Sequence, residues 1–293
     1  MCRSGQRLRY RHRVASTKKL VAALSRRGPH RVLRGDLAFA GLPGVVFTPE
    51  SGFNLPAVAF GHDWVTPAGG YASLLEHLAS WGIVAAAPDT ERGLAPSVLN
   101  LSYDLGTTLD IITGVRLGPG QISVHPAKLG VAGHGFGGSA AVFAAAGLAS
   151  RVKAAAAIFP AATRPSALEP AATLKLRGVV FSAPDDPSSV RFNSVELAQS
   201  WPGAALRTVS KAEATGLAEG RRMHRFIGLG GSDRGTQRTV RALLTGFLLH
   251  TLTGNKTYRD FADGQAHLPG TSDVDPELAP VSTEEKLIAL LRR

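Results

Sequence analysis

Between a short apolar run at Lys128 to Ala132 and an alanine-rich amphipathic stretch stands the segment Gly133-His134-Gly135-Phe136-Gly137-Gly138. A glycine-rich turn joining a strand to a helix admits two chemistries. One is the dinucleotide fingerprint G-x-G-x-x-G, met by Gly133, Gly135 and Gly138, whose glycines let the backbone approach a pyrophosphate. That pattern also needs an acid about 20 residues on for the ribose. Ile158 to Ala161 fill that place and the next carboxylate is Glu169, so nucleotide binding is not expected. The other chemistry is the nucleophile elbow G-x-S-x-G, where small flanking residues let a strained turn lift a serine above a sheet. Every position fits except the nucleophile's own, which is Gly135. Ser139 lies a helical turn further on, away from the strained position.

Other reactive groupings are sparse. The nine histidines include no H-E-x-x-H and no pair at i, i+4, and His62-Asp63 alone is a thin ligand set, so neither a metal nor a cofactor is expected. Ser16 to Lys19 spells S-x-x-K, a nucleophile pattern elsewhere, but at the head of a short apolar run it reads as a helix start.

The elements that must position the elbow follow from periodicity. Leu37 to Phe39 and Gly44 to Thr48 read as paired edge strands, and Leu55 to Phe60 as a buried strand ending at Gly61. Tyr71, Leu74, Leu75 and Leu78 share a helix face, and Gly82 interrupts the pattern before the strand Ile83 to Ala87. Val98, Leu101, Leu105, Leu109 and Ile112 mark the next helix, followed by the strand Lys128 to Ala132 and the elbow. The helix after the elbow carries Ala140, Phe143, Ala144 and Leu148. Strands at Val152 to Phe159, Gly178 to Ser182 and Ala205 to Val209 come next, with a short helix at Ser194 to Gln199 and a last strong helix through Val240 to Leu248. This alternation predicts a doubly wound, mostly parallel α/β sheet with helices on both faces. Residues 264–281 read as a loop. Ser282 and Glu285 form a capping box before a final helix over Leu287 to Leu291, and 264–293 are expected to pack back on the body.

The elbow belongs to a longer likeness. Phe60-Gly61-His62-Asp63-Trp64, then Glu76 to Val84, then Pro88-Asp89-Thr90 and the elbow resemble, in that order, the α/β-hydrolase superfamily. The similarity is to its polyester hydrolase and cutinase-like, dienelactone hydrolase and platelet-activating-factor acetylhydrolase groups, over roughly residues 40–260. The resemblance implies the α/β-hydrolase fold, with oxyanion donors on the backbone N–H groups of Phe136 and His62. It places the triad acid at Asp186, in preference to Asp185, and the base at Gly216, where the family has an Ala-Thr-His segment and this chain reads Ala214-Thr215-Gly216. His224 is the nearest alternative base. With glycine at both the nucleophile and base positions, the resemblance implies a protein that has lost serine-hydrolase activity and binds an acyl or lipid-like ligand, or a protein partner, in the inherited cleft. An active ester hydrolase using Asp63, Asp186 or His224 on water is the alternative; an interaction scaffold docked through its basic segment is the second.

Charge is distributed unevenly. Residues 1–34 hold 11 Lys/Arg and no acid, leaving 22 basic against 22 acidic residues in the rest, so the net +11 sits in this segment. It reads as a basic arm, either solvated or meeting an anionic surface through counterion release, ahead of a domain over 35–263. Specific nucleic-acid recognition is not expected. The run Leu20 to Leu24 is too short for a signal peptide, no stretch reaches the length of a membrane span, and a lone Cys2 excludes an internal disulfide, so a cytoplasmic protein is expected.

Overall fold

The computed structural model describes residues 17–186, 189–220 and 231–272. Its centre is a nine-stranded sheet in the order β1-β2-β4-β3-β5-β6-β7-β8-β9. The strands are β1 Val32–Asp36, β2 Gly44–Pro49, β3 Gly52–Gly61, β4 Val84–Pro88, β5 Ile122–His134, β6 Val152–Ile158, β7 Arg177–Ser182, β8 Ala204–Val209 and β9 Thr271–Ser272. From β4 across to β8 neighbours run parallel, while β1, β2 and β9 join antiparallel at the edges.

Residues 17–24 are helical, here α1. The remaining helices are α2 Ala72–Ser80, α3 Val98–Gly114, α4 Phe136–Gly147, α5 Leu168–Thr173, α6 Ser194–Ser200 and α7 Arg234–Thr253. Alternate strand residues feed two cores. Val58, Phe60, Ala156 and Ile158 pack with α1, α2 and α7, whereas Ala57, Ala59, Ala155 and Ala157 pack with α3 to α6. Strands rich in alanine, such as Ala85 to Ala87 and Ala154 to Ala157, leave room for helices to close on both faces.

Two expectations near the start of the chain need correction. Leu37 to Ala40 form a 3-10 turn rather than a strand: Asp36 accepts from the Ala38 N–H at 2.9 Å and Gly41, at φ 82°, closes it. The strand that pairs with β2 is β1, with Val32 opposite Pro49. Nor are residues 17–34 an arm ahead of the domain. Leu24 is fully buried in the core with Leu20 and Val21 packed beside it, the Trp81 indole donates to the Arg26 carbonyl at 3.1 Å, and a boundary at residue 34 would cut β1 in two. The charge of Lys18, Lys19, Arg26 and Arg27 lies on the outer side of this packed segment. The Ser282–Glu285 capping box and the helix after it lie outside the described residues, as does Ser16 of the S-x-x-K pattern. Among the described residues no helix is long and apolar enough to cross a membrane.

The chain runs from β3 out to β4 and returns to β5 on the other side of β3. Such a reversal opens a crevice at the carboxyl ends of β3 and β5, the place where doubly wound sheets collect ligands and chemistry. The loops leaving these two strands carry His62-Asp63 and Gly135-Phe136.

Candidate functional site

β3 and β5 end level with each other, Gly61 paired with Gly133. α4 then starts so close to both strands that side chains are excluded. A Cβ on Gly133 would stand 2.0 Å from the Gly137 carbonyl oxygen, and one on Gly137 would stand 2.2 Å from the Gly61 carbonyl group. Gly135 turns the chain between strand and helix at φ 55°, ψ −119°, a conformation that a side-chain-bearing residue adopts only under strain. Its own carbonyl accepts from Gly138 and Ala161 N–H groups, each at 3.0 Å, and its N–H donates to Ile158 at 3.0 Å. The Ser139 hydroxyl is buried and donates to the Ala161 carbonyl at 2.6 Å, holding the segment after β6 rather than facing the crevice.

What occupies the space above Gly135 is Asp63. Its Oδ1 accepts from the Phe136 N–H at 3.0 Å, and a Cβ built on Gly135 would lie 2.1 Å from that oxygen. Its Oδ2 pairs with the Arg191 guanidinium at 2.8 Å. Asp63 is buried and Arg191 half exposed, its guanidinium also lying over the Phe192 ring. Burying a carboxylate is tolerated when charge and hydrogen bonds compensate it, and both oxygens have partners here. The Phe136 N–H, one of the two expected oxyanion donors, therefore already holds an anion that belongs to the chain.

A second line of bonds runs beneath. The Asp63 N–H donates to the Tyr71 hydroxyl at 3.0 Å, Tyr71 Oη lies 2.8 Å from His134 Nδ1, and His134 Nε2 lies 2.7 Å from the Ala214 carbonyl. A carbonyl only accepts, so in the neutral ring Nε2 carries the proton and Nδ1 accepts from Tyr71. His62 is buried with ring nitrogens 2.9 Å from its neighbour Asp63's carbonyl and 2.7 Å from that of Thr90. Both His62 contacts are to backbone, and those of His134 are to the Tyr71 hydroxyl and the Ala214 carbonyl, so the ring nitrogens of both histidines are engaged within the fold. Among the described residues no group of three or more His, Cys, Asp or Glu is arranged to hold a metal ion.

Asp186 and Gly216 make contacts of their own. Asp186 is buried, but its Oδ1 accepts from the Ser194 hydroxyl at 2.6 Å and N–H at 3.2 Å, and its Oδ2 from the Val195 N–H at 3.3 Å. It thus fastens the start of α6. Burial pushes its pKa above the usual carboxylate range, opposed by these bonds to Ser194 and Val195. Gly216 lies in the 3-10 segment Ala214–Leu217, two residues past the carbonyl that meets His134, and a Cβ there would stand 2.8 Å from Asp233 Cβ. The Asp186 carboxylate is thus engaged with α6 and not with this segment. His224 lies outside the described residues. Arg191 and Tyr71 are the participants that sequence reasoning missed: nothing local distinguishes Arg191, and Tyr71 reads as the first apolar residue of a helix face.

Fold and site together define a mixed α/β protein with a mostly parallel nine-stranded sheet and a carboxylate seated at its central strand-to-helix turn. No protein-family model matches the chain, and no curated protein matches it.

Proposed function

We propose that this chain is a non-catalytic protein on the α/β-hydrolase fold that retains a binding role at the carboxyl ends of its strands. The observation that carries the reading is the Asp63 carboxylate on the Phe136 N–H, filling the volume a serine at position 135 would need. The glycine-lined approach of α4 to β3 and β5, and the strained turn at Gly135, support the hydrolase likeness; the missing nucleophile and the occupied donor support the loss of activity. Losing the serine or histidine of a triad lowers turnover by about a millionfold.

An acyl or lipid-like ligand suits the rim around the sealed elbow. Trp64 and Val65 after β3, Leu94 after β4 and Val190 beside Arg191 all expose apolar surface, and the Trp64 indole ties the first loop to the second through the Gly93 carbonyl at 3.0 Å. Val65 sits at φ 53°, an uncommon conformation for a β-branched residue, with its side chain exposed. A hydrolase using Asp63 as its base is the weaker reading, because both oxygens are already engaged. The test is short-chain p-nitrophenyl ester turnover by the purified protein, with native mass spectrometry for retained lipid. No turnover and a co-purifying acyl species are expected; turnover at an ordinary ~1–10³ s⁻¹ overturns the proposal.

A further inference from the structure

Away from the elbow, the start of α7 concentrates positive charge. Arg234 is its first residue, and Arg238 and Arg241 follow at spacings of four and three, which puts all three on one face. With Ser25 after α1, Ser73 in the first turn of α2, and Glu219, they line a pocket of about 550 Å³. Among the described residues none of the three guanidiniums has a carboxylate partner. Arg241 is steadied by its Nε donating to the Gln237 carbonyl at 3.2 Å. Glu219 is engaged elsewhere, its carboxylate accepting from the Ser73 N–H at 2.9 Å and closing the start of α2.

This arrangement works against local stability. Like charges three and four residues apart repel, and a cation on the first residue of a helix faces the positive end of its dipole. Arg241 also acts on its surroundings, helping to keep the buried His77 neutral. Among the described residues, three guanidiniums and one carboxylate leave the lining at +2, complementary to the −1.5 to −2 of a phosphate monoester at neutral pH. Guanidinium forks match phosphate oxygens in pairs, and the Ser73 hydroxyl is of a kind that adds a neutral donor, whereas the Ser25 hydroxyl donates to the Ala22 carbonyl at 2.9 Å.

We propose that this pocket binds the terminal phosphate of a phosphomonoester. A soluble metabolite and a lipid headgroup both offer such a phosphate, and the experiment separates the two. Binding of inorganic phosphate is measured first, by calorimetry and thermal shift against chloride at equal ionic strength. Glycerol phosphate is measured next, then phosphatidylcholine vesicles with and without phosphatidic acid. Phosphate is expected to bind and stabilise the protein, with the variant Arg234→Gln/Arg238→Gln weakening it about tenfold or more. Arg116→Gln, on a different surface over Phe53, is expected to bind as the parent does. Preference for glycerol phosphate or for phosphatidic acid vesicles assigns the source. A shift that chloride reproduces, or equal affinity in the double variant, overturns the proposal. So does inorganic phosphate binding that neither monoester arm reproduces.

Discussion

Asp63 and Gly135 exclude one another's side chains: the Asp63 Oδ1 stands 2.1 Å from where a Gly135 Cβ would be, and the same oxygen accepts the Phe136 N–H. The carboxylate at 63 and the missing side chain at 135 are therefore one structural fact. Placing a serine at position 135 requires the Asp63 side chain to leave its present position, and a side chain at 216 would separately have to displace Asp233.

This makes a double-mutant cycle decisive. Gly135→Ser alone is expected to destabilise through overlap with Asp63, on top of about 1–3 kcal/mol of backbone strain. In an Asp63→Gly background the overlap is gone, so the two substitutions should couple favourably by about 1 kcal/mol or more in urea unfolding. Additive effects would show that Asp63 does not fill the serine's volume.

Leu24 is fully buried between α1 and the main body. Leu24→Ala should cost about 2–4 kcal/mol, and deletion through residue 34, which removes β1 as well, should cost more. Denaturant midpoints read both. A change within the ±0.5 kcal/mol typical of surface positions would mean that α1 does not pack as described.

His77 gives the fold an acid limit. Burial first, then Arg241, pulls its pKa down to about 4 from 6.5, with the backbone of Leu24 opposing. The folded ring is neutral while the unfolded ring takes a proton below 6.5, so the unfolded state binds more protons in this window. Stability is intact above pH 6.5 and falls as pH drops towards 4, by about 3 kcal/mol in all. The variant His77→Leu should flatten that part of the pH–stability curve; an unchanged slope would refute the assignment.

Arg207 is buried, and its guanidinium donates to the carbonyls of Ala266 at 2.7 Å, Asp260 at 3.2 Å and Asp263. Arg207→Met should destabilise by about 3 kcal/mol by leaving these carbonyls without a donor, and Arg207→Lys should rescue little because it lacks the fork. Hydrogen exchange accelerated around residues 256–268 is the expected signature.

Legibility in the sequence followed locality. Helix periodicity around Leu74, Leu101 and Leu243 and the glycines of the elbow are short-range signals, and each marks a region where the structure has the corresponding element or turn. β1 was hidden because Arg34, Gly35 and Asp36 are exposed, as suits an edge strand, while Leu37 to Phe39 offered a more apolar decoy. α1 was masked by its charge, although Leu20, Val21 and Leu24 turn inward at helical spacing. β5 begins at Ile122, earlier than Lys128, because His125 and Pro126 break the apolar pattern where the pairing with β3 is irregular. The seal on the elbow had no local signature: Asp63 meets Phe136 across 73 positions and Arg191 across 128.

The bonds through Tyr71 and His134 have one orientation. The Asp63 N–H gives to Tyr71, Tyr71 gives to His134 Nδ1, and His134 Nε2 gives to Ala214. With the ring neutral, reversing either of its bonds would set two donors or two acceptors against each other. The loops leaving β3, β5 and β8 are thereby locked to the placement of one imidazole proton, so the nitrogen resonances of a single ring report on whether three separate strand ends are in register with one another.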